Sequence, residues 1–153
     1  MDKKIITGAG IILIALMGFM FFNKGSITGN VIAEPIDEGN SIKIPLSSIS
    51  KNAHWFDYNS EGVNIKYFVV RDGDGNVKSA FDACDVCYKT RKGYRQEGGD
   101  MICNNCGNHY PISGIGTANL RGGCWPGYLQ SSIQGDYLVI SKQALEVGRY
   151  RFA

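Results

Sequence analysis

The chain has 153 residues, 44% of them hydrophobic and 20 of them glycine, which suits one domain of ordinary size built from short strands and tight turns. Its formal net charge is only +2. Lys89, Arg91, Lys92 and Arg95 are interleaved with neutral residues rather than repeated on one face, so the electrostatic footprint of a nucleic-acid-binding protein is missing and that class is excluded.

The first element is apolar. Ile5 to Phe22 holds 18 residues without a charge, and as a helix they would reach roughly 27 Å, close to the thickness of a bilayer core. A cleaved signal peptide would have a shorter apolar stretch ending near a small-x-small site. Here the stretch runs into Asn23-Lys24, and the nearest such site, Val31-Ile32-Ala33, lies well downstream. Residues 1–24 are therefore expected to form one uncleaved transmembrane helix. Lys3 and Lys4 against the single Lys24 place the N-terminus in the cytoplasm and the remainder outside, in single-pass topology. An extracytoplasmic domain meets an oxidising compartment in most cells, where unprotected thiols tend to pair.

Residues 25–40 contain Gly29-Asn30, Pro35 and Glu38-Gly39-Asn40 and little apolar periodicity, so they read as a tether, with the domain itself spanning 41–153. Ile42, Ile44 and Leu46 alternate with Ser41, Lys43 and Pro45, the period of a half-buried strand, and Pro45 suggests a sheet edge. His54 to Tyr58 follows, with aromatic residues on both faces. Val63 to Arg71, the turn Asp72-Gly73-Asp74-Gly75-Asn76 and Val77 to Phe81 carry the signature of a hairpin. A calcium loop starting at Asp72 would need glycine sixth and glutamate twelfth, and the chain has Val77 and Ala83 there. Gly93 to Glu97 and Met101 to Cys103 flank Gly98-Gly99-Asp100 as a second hairpin. A glycine-rich loop follows through Gly123, strand resumes at Tyr137 to Ile140, and Ser141 to Gly148 has the cap and stop of a short helix. The fold class expected is a small antiparallel all-β domain with cysteine-bearing loops, behind one transmembrane helix.

The chemistry lies in the cysteines. Cys84-Asp-Val-Cys87 and Cys103-Asn-Asn-Cys106 are two hooks with fifteen residues between them, and Cys124 follows inside Gly122-Gly123-Cys124-Trp125-Pro126. A two-residue gap lets both sulfurs of a tight turn face one point, so two hooks can close four thiolates around a metal centre. A c-type haem is excluded, because Tyr88 and Gly107 stand where histidine would follow each hook. A thioredoxin-like dithiol fits poorly without a βαβ pattern, and an odd count of five cysteines argues against a framework of disulfides alone. Four thiolates suit zinc, mononuclear iron and iron-sulfur clusters alike, so the hooks by themselves leave the metal open.

Phe81-Asp-Ala-Cys84-Asp-Val-Cys87, Gly93-Tyr94, Ile102-Cys103-Asn-Asn-Cys106-Gly107 and Gly122-Gly123-Cys124, in this order behind an apolar anchor, resemble the FtrD-like membrane iron-sulfur family. The likeness runs from Ile42 to the C-terminus and includes Ala53-His54-Trp55-Phe56. It implies an iron-sulfur cluster, 2Fe-2S or 4Fe-4S, on Cys84, Cys87, Cys103 and Cys106 with Cys124 nearby, and a role beside an iron permease or redox partner. The chain has one expected span where some larger relatives have many, so any permease activity would belong to the partner. A second likeness concerns the fold: Cys103-x-x-Cys106-Gly107, the Gly123 to Gly127 loop and the strand after Gly135 are similar in order to Rieske proteins. The first hook departs from that pattern, and Cys106 replaces a histidine. All-cysteine ligation then implies a one-electron centre of low potential, since four thiolates favour the oxidised form more than two thiolates and two imidazoles do.

Asp82 and Asp85 read foremost as turn residues of the first hook, and His54 as a half-buried structural residue. His109 has ligand spacing from Cys106, yet Cys106 already completes a set of four. Cys124 is open between ligation, shielding, thiol pairing and packing. No Ser/His/Asp set or carboxylate pair suggests hydrolysis, so an electron-transfer or iron-handling protein is expected rather than an enzyme; the alternative is a scaffold with a structural zinc on the hooks.

Overall fold

The computed structural model describes residues 33–117 and 122–153. The expected membrane segment lies outside the described residues, and among them no helix is long and apolar enough to cross a membrane. What they form is almost entirely antiparallel β, in three small sheets.

β1 (Ile36–Glu38) and β2 (Ser41–Pro45) make a hairpin across Gly39-Asn40, and β2 pairs on its other side with β10 (Tyr137–Ser141), itself paired with β9 (Ser132–Gln134). The sheet thus begins at Ile36, inside the segment expected to be a tether. All three β1 residues are exposed, so no apolar periodicity marks them, and the β2 backbone supplies the pairing. Pro45 sits at an edge only locally. Leu46 N–H donates to the Asp136 carbonyl at 2.8 Å, which turns the Pro45 nitrogen to the opposite side, past the last β1 pair Ile36–Lys43. Its missing donor therefore costs no ladder bond.

β3 (His54–Ser60), β4 (Val63–Arg71) and β5 (Val77–Phe81) form the second sheet with β4 central. The acidic turn is a hairpin turn, as its sequence indicates: Asp72 Oδ1 accepts from the Asp74 and Asn76 amides at 3.0 and 2.9 Å. β6 (Tyr94–Glu97), β7 (Asp100–Cys103) and β8 (His109–Pro111) form the third sheet. β8 lies in the stretch expected to be loop. The one α-helix among the described residues, α1 (Lys142–Val147), is capped by Ser141, whose Oγ accepts from the Ala144 amide at 3.0 Å.

β4 divides two cores. Ile65, Tyr67 and Val69 face one way, onto Ile42, Ile44, Leu138, Ile140 and Leu145, while Phe68 and Val70 face the other, onto Tyr94, Met101, Tyr110, Ile112 and Ile115. A strand buried on both faces needs a continuous apolar run, which is why Tyr67-Phe68-Val69-Val70 has no polar alternation. Burying each such side chain contributes on the order of 2 kcal/mol. The second core also holds Cys84, Cys103 and Cys124.

The third cysteine loop reaches this core along the free edge of β5. Phe81 N–H donates to the Gly127 carbonyl at 2.9 Å, Gly127 N–H donates to Ala83 at 2.8 Å, and Ala80 bridges Tyr128. Those bonds fix the segment after Cys124 directly against the chain entering the first hook.

Candidate metal centre

The first hook leaves β5 at Phe81 and turns at Cys84. The Cys87 amide donates to Cys84 Sγ at 2.8 Å, and the Cys87 carbonyl accepts from the Thr90 amide and hydroxyl at 3.0 and 2.8 Å as the chain enters a 3-10 turn. That turn ends at Arg91, which stands in the left-handed region at φ 54°. The second hook closes more tightly. Cys103 is the last residue of β7, its amide donates to the Asn108 carbonyl at 3.0 Å, and its carbonyl accepts from Gly107 N–H at 2.9 Å. Gly107 takes φ +73°, which a residue with a Cβ adopts at a cost, so the glycine after the hook is what lets the chain double back into β8.

The two hooks are tied together beneath the sulfurs. Asp82 Oδ1 accepts from the Tyr94 amide at 2.8 Å, and Asn104 N–H donates to the Gly93 carbonyl at 3.0 Å. On the far side, Asp85 accepts from Arg151 Nε at 3.0 Å and from the Tyr150 hydroxyl at 2.7 Å, clamping the first hook to the end of the chain. Arg151 also lies 5.3 Å from the Phe81 ring centroid, a cation–π distance. Both aspartates thus make long-range bonds, beyond the turn role their positions suggest.

All five cysteines are free thiols and all five converge. The sulfurs of Cys84, Cys87 and Cys124 lie within 4.8 Å of one another, as do those of Cys87, Cys103 and Cys106. Cys87 belongs to both triads, and its sulfur is 3.2 Å from that of Cys124. Cys84, Cys103 and Cys124 are buried, Cys87 is half-buried and Cys106 is exposed, so the cluster is covered on the core side and open at one hook tip. The groups able to hold a metal among the described residues are these two cysteine triads, in keeping with soft-metal rather than oxygen-ligand chemistry.

A family model described as membrane iron-sulfur containing protein FtrD-like matches residues 49–152. The chain belongs to that family. No curated protein matches it. The family's description carries a metal-binding role, and in this FtrD-like chain the five-thiol cluster has the chemistry for one.

The thiols of the FtrD-like site are not equivalent. Hydrogen bonds to the sulfur of Cys87, first from Cys124 and then from Asn105, draw its pKa below the ordinary thiol value. Burial pushes Cys124 well above that value, and its contact with Cys87 adds to the rise. Burial also raises Cys103. Cys87 is thereby drawn toward the thiolate while Cys103 and Cys124 are held as thiols, with Cys124 as the donor to Cys87. Tyr94 is held neutral by burial and by the nearby sulfurs of Cys84 and Cys103.

The histidines stand apart. His54 Nε2 lies 3.0 Å from Ser50 Oγ, and burial lowers its pKa; His109 Nδ1 lies 3.3 Å from Asp100 and is exposed. Residues that motif reading missed are Tyr94, which hydrogen-bonds the Cys124 carbonyl, and Asn105, which bonds Cys87. Asn105 sits inside the second hook, where its amide signals nothing beyond a turn; Tyr94 follows Gly93 in the family-like motif, its only signal. A cavity of about 570 Å³ opens beside Cys84, Cys87 and Cys103, with Lys66, Arg91 and Lys92 on its walls.

Proposed function

We propose that this protein is a membrane-held, extracytoplasmic iron-sulfur protein that passes single electrons, or handles iron, beside an iron-transport partner. Cys84, Cys87, Cys103 and Cys106 are its ligands and Cys124 closes the site. The observation that carries this reading is the gathering of five free thiols around Cys87 in two overlapping triads.

A single structural zinc is the rival. A tetrahedral ion with Zn–S bonds of about 2.3 Å needs four sulfurs about 3.8 Å from one another. Among the described residues, however, no set of four lies within 4.8 Å throughout; the sets are triads. Sulfurs spread more widely than one ion requires favour a polynuclear centre, 2Fe-2S or 4Fe-4S. When bound, such a centre supplies a one-electron couple, and all-cysteine ligation sets it well below the potentials of His-ligated Rieske centres.

The chain's own residues supply the rest. The second core shields Cys84, Cys103 and Cys124 from water, while Cys106 and Val86, the latter 62% exposed, bring one edge of the site to the surface where a redox partner can approach. The apolar stretch Ile5 to Phe22 supports the anchor, and Lys3 and Lys4 support an external domain. The iron-transport role rests on the family likeness.

Iron and acid-labile sulfide, measured on protein purified without oxygen, test the centre. Both are expected, with a reduced-state paramagnetic signal and a potential well below that of His-ligated centres. Zinc without sulfide would leave only the scaffold reading.

A further inference from the structure

The sharing of Cys87 between two sulfur triads has a stoichiometric meaning. We infer that the metal-free protein binds two Cu(I) ions, one on Cys84, Cys87 and Cys124 and one on Cys87, Cys103 and Cys106, with the Cys87 thiolate bridging them. This site does not rest on the iron-sulfur reading, because it concerns the thiols alone.

Ligand number selects the ion. Five thiols with one shared supply three sulfurs to each of two ions. Zinc needs four donors per ion, and the histidines that would complete two zinc sites are engaged elsewhere, His54 with Ser50 and His109 with Asp100. Cu(I) is a soft, closed-shell ion that accepts three thiolates in a plane, and thiolates select it.

Spacing agrees. With metal–sulfur bonds of about 2.3 Å, trigonal coordination sets three sulfurs about 4.0 Å apart. Each triad already lies within 4.8 Å, and the Cys87–Cys124 pair at 3.2 Å needs only to open by a rotamer adjustment. Binding releases five thiol protons and forms six metal–sulfur bonds, two of them to the bridging Cys87 sulfur, with no change of oxidation state. Exposed Cys106 gives an entry path to the buried sulfurs. Five thiolates around two monovalent ions leave an anionic core, and Lys66, Arg91 and Lys92 line the cavity beside it.

The full-length protein in detergent, reduced and stripped of metal, is titrated anaerobically with Cu(I) against bathocuproine disulfonate and counted by native mass spectrometry. Wild type is expected to take two Cu(I), Cys124→Ser and Cys106→Ser one each, and Cys87→Ser none at the same chelator concentration. Zn(II) in a parallel titration is expected to stop at one. A single Cu(I) on wild type, or two retained by Cys106→Ser, overturns the inference. Cys106 is exposed, so its variant keeps the fold, checked by circular dichroism, even where a buried cysteine cannot be replaced. Iron and sulfide analysis of native protein is read separately, so failure of the iron-sulfur reading leaves the copper count standing and the reverse also holds.

Discussion

Tyr94 reaches the third cysteine loop: its hydroxyl donates to the Cys124 carbonyl at 2.5 Å. The same residue gives its amide to Asp82, below the first hook, and pairs with Cys103, the first sulfur of the second. One side chain and its backbone therefore touch all three cysteine segments. Their relative position depends on a residue that carries no metal chemistry itself.

Tyr94→Phe keeps the ring and deletes that bond, leaving a buried carbonyl without its donor. A loss of about 1–3 kcal/mol is expected in urea unfolding. Because the bond holds the Cys124 loop, alkylation of Cys124 in the metal-free protein should accelerate while that of Cys103 stays unchanged. Equal acceleration at both would mean the tyrosine supports the whole core rather than this loop.

Gly93 precedes it at φ +61°, and a Cβ built there would stand 2.4 Å from the Asp82 carboxylate. Gly93→Ala thus adds backbone strain to a clash with a carboxylate already held by the Tyr94 amide. The expected cost is about 2 kcal/mol or more. Melting curves of the single variant and of Gly93→Ala with Asp82→Gly separate the two causes: relief of part of the loss in the double variant assigns that part to the clash.

Much of this domain could be read from local chemistry. The Asp72 turn, the Gly98-Gly99 turn and the alternation of Ile42 and Ile44 specify hairpins and a half-buried strand with information a few residues wide, and the structure has them. The cysteine hooks were legible for the same reason. β1 and β8 were not, because Ile36-Asp37-Glu38 and His109-Tyr110-Pro111 become strands only by pairing with a neighbour. The approach of Cys124 to Cys87 spans 37 residues and depends on bonds along the β5 edge, which no motif records. Likewise, the Asp85–Arg151 clamp joins positions 66 residues apart.

The two cores on either side of β4 make a separable prediction. Phe68, fully buried, sits 5.9 Å from the Trp55 ring and 6.4 Å from the Tyr94 ring. Phe68→Ala should cost about 3–5 kcal/mol and Leu138→Ala, in the other core, about 2–5 kcal/mol. Only the first removes packing from beneath the thiols. Under native conditions Cys103 alkylation should therefore accelerate in Phe68→Ala and remain near the wild-type rate in Leu138→Ala. The reverse pattern would show that β4 does not insulate one core from the other.

Acid should loosen the C-terminal clamp. Burial acts to raise the Asp85 pKa, but the Tyr150 hydrogen bond and the Arg151 charge outweigh it, and the net shift is downward. A carboxyl depressed in the folded state contributes stability that is present above its unfolded value, about 3.9, and is lost as pH falls through the folded one. The Asp85 side chain is 46% exposed, so solvent screening limits the ion pair to about 1 kcal/mol or less. Asp82 has the opposite sign: burial raises its pKa, so its protonated form is favoured in the fold and its contribution grows as pH falls. Asp85→Asn should lower the melting temperature at neutral pH by a few degrees or less and flatten the decline below about pH 4, whereas Asp82→Asn should steepen it. Melting temperatures across pH 2.5 to 7 for the three proteins decide the matter, and an Asp85→Asn curve parallel to wild type would rule out the clamp as a source of acid sensitivity.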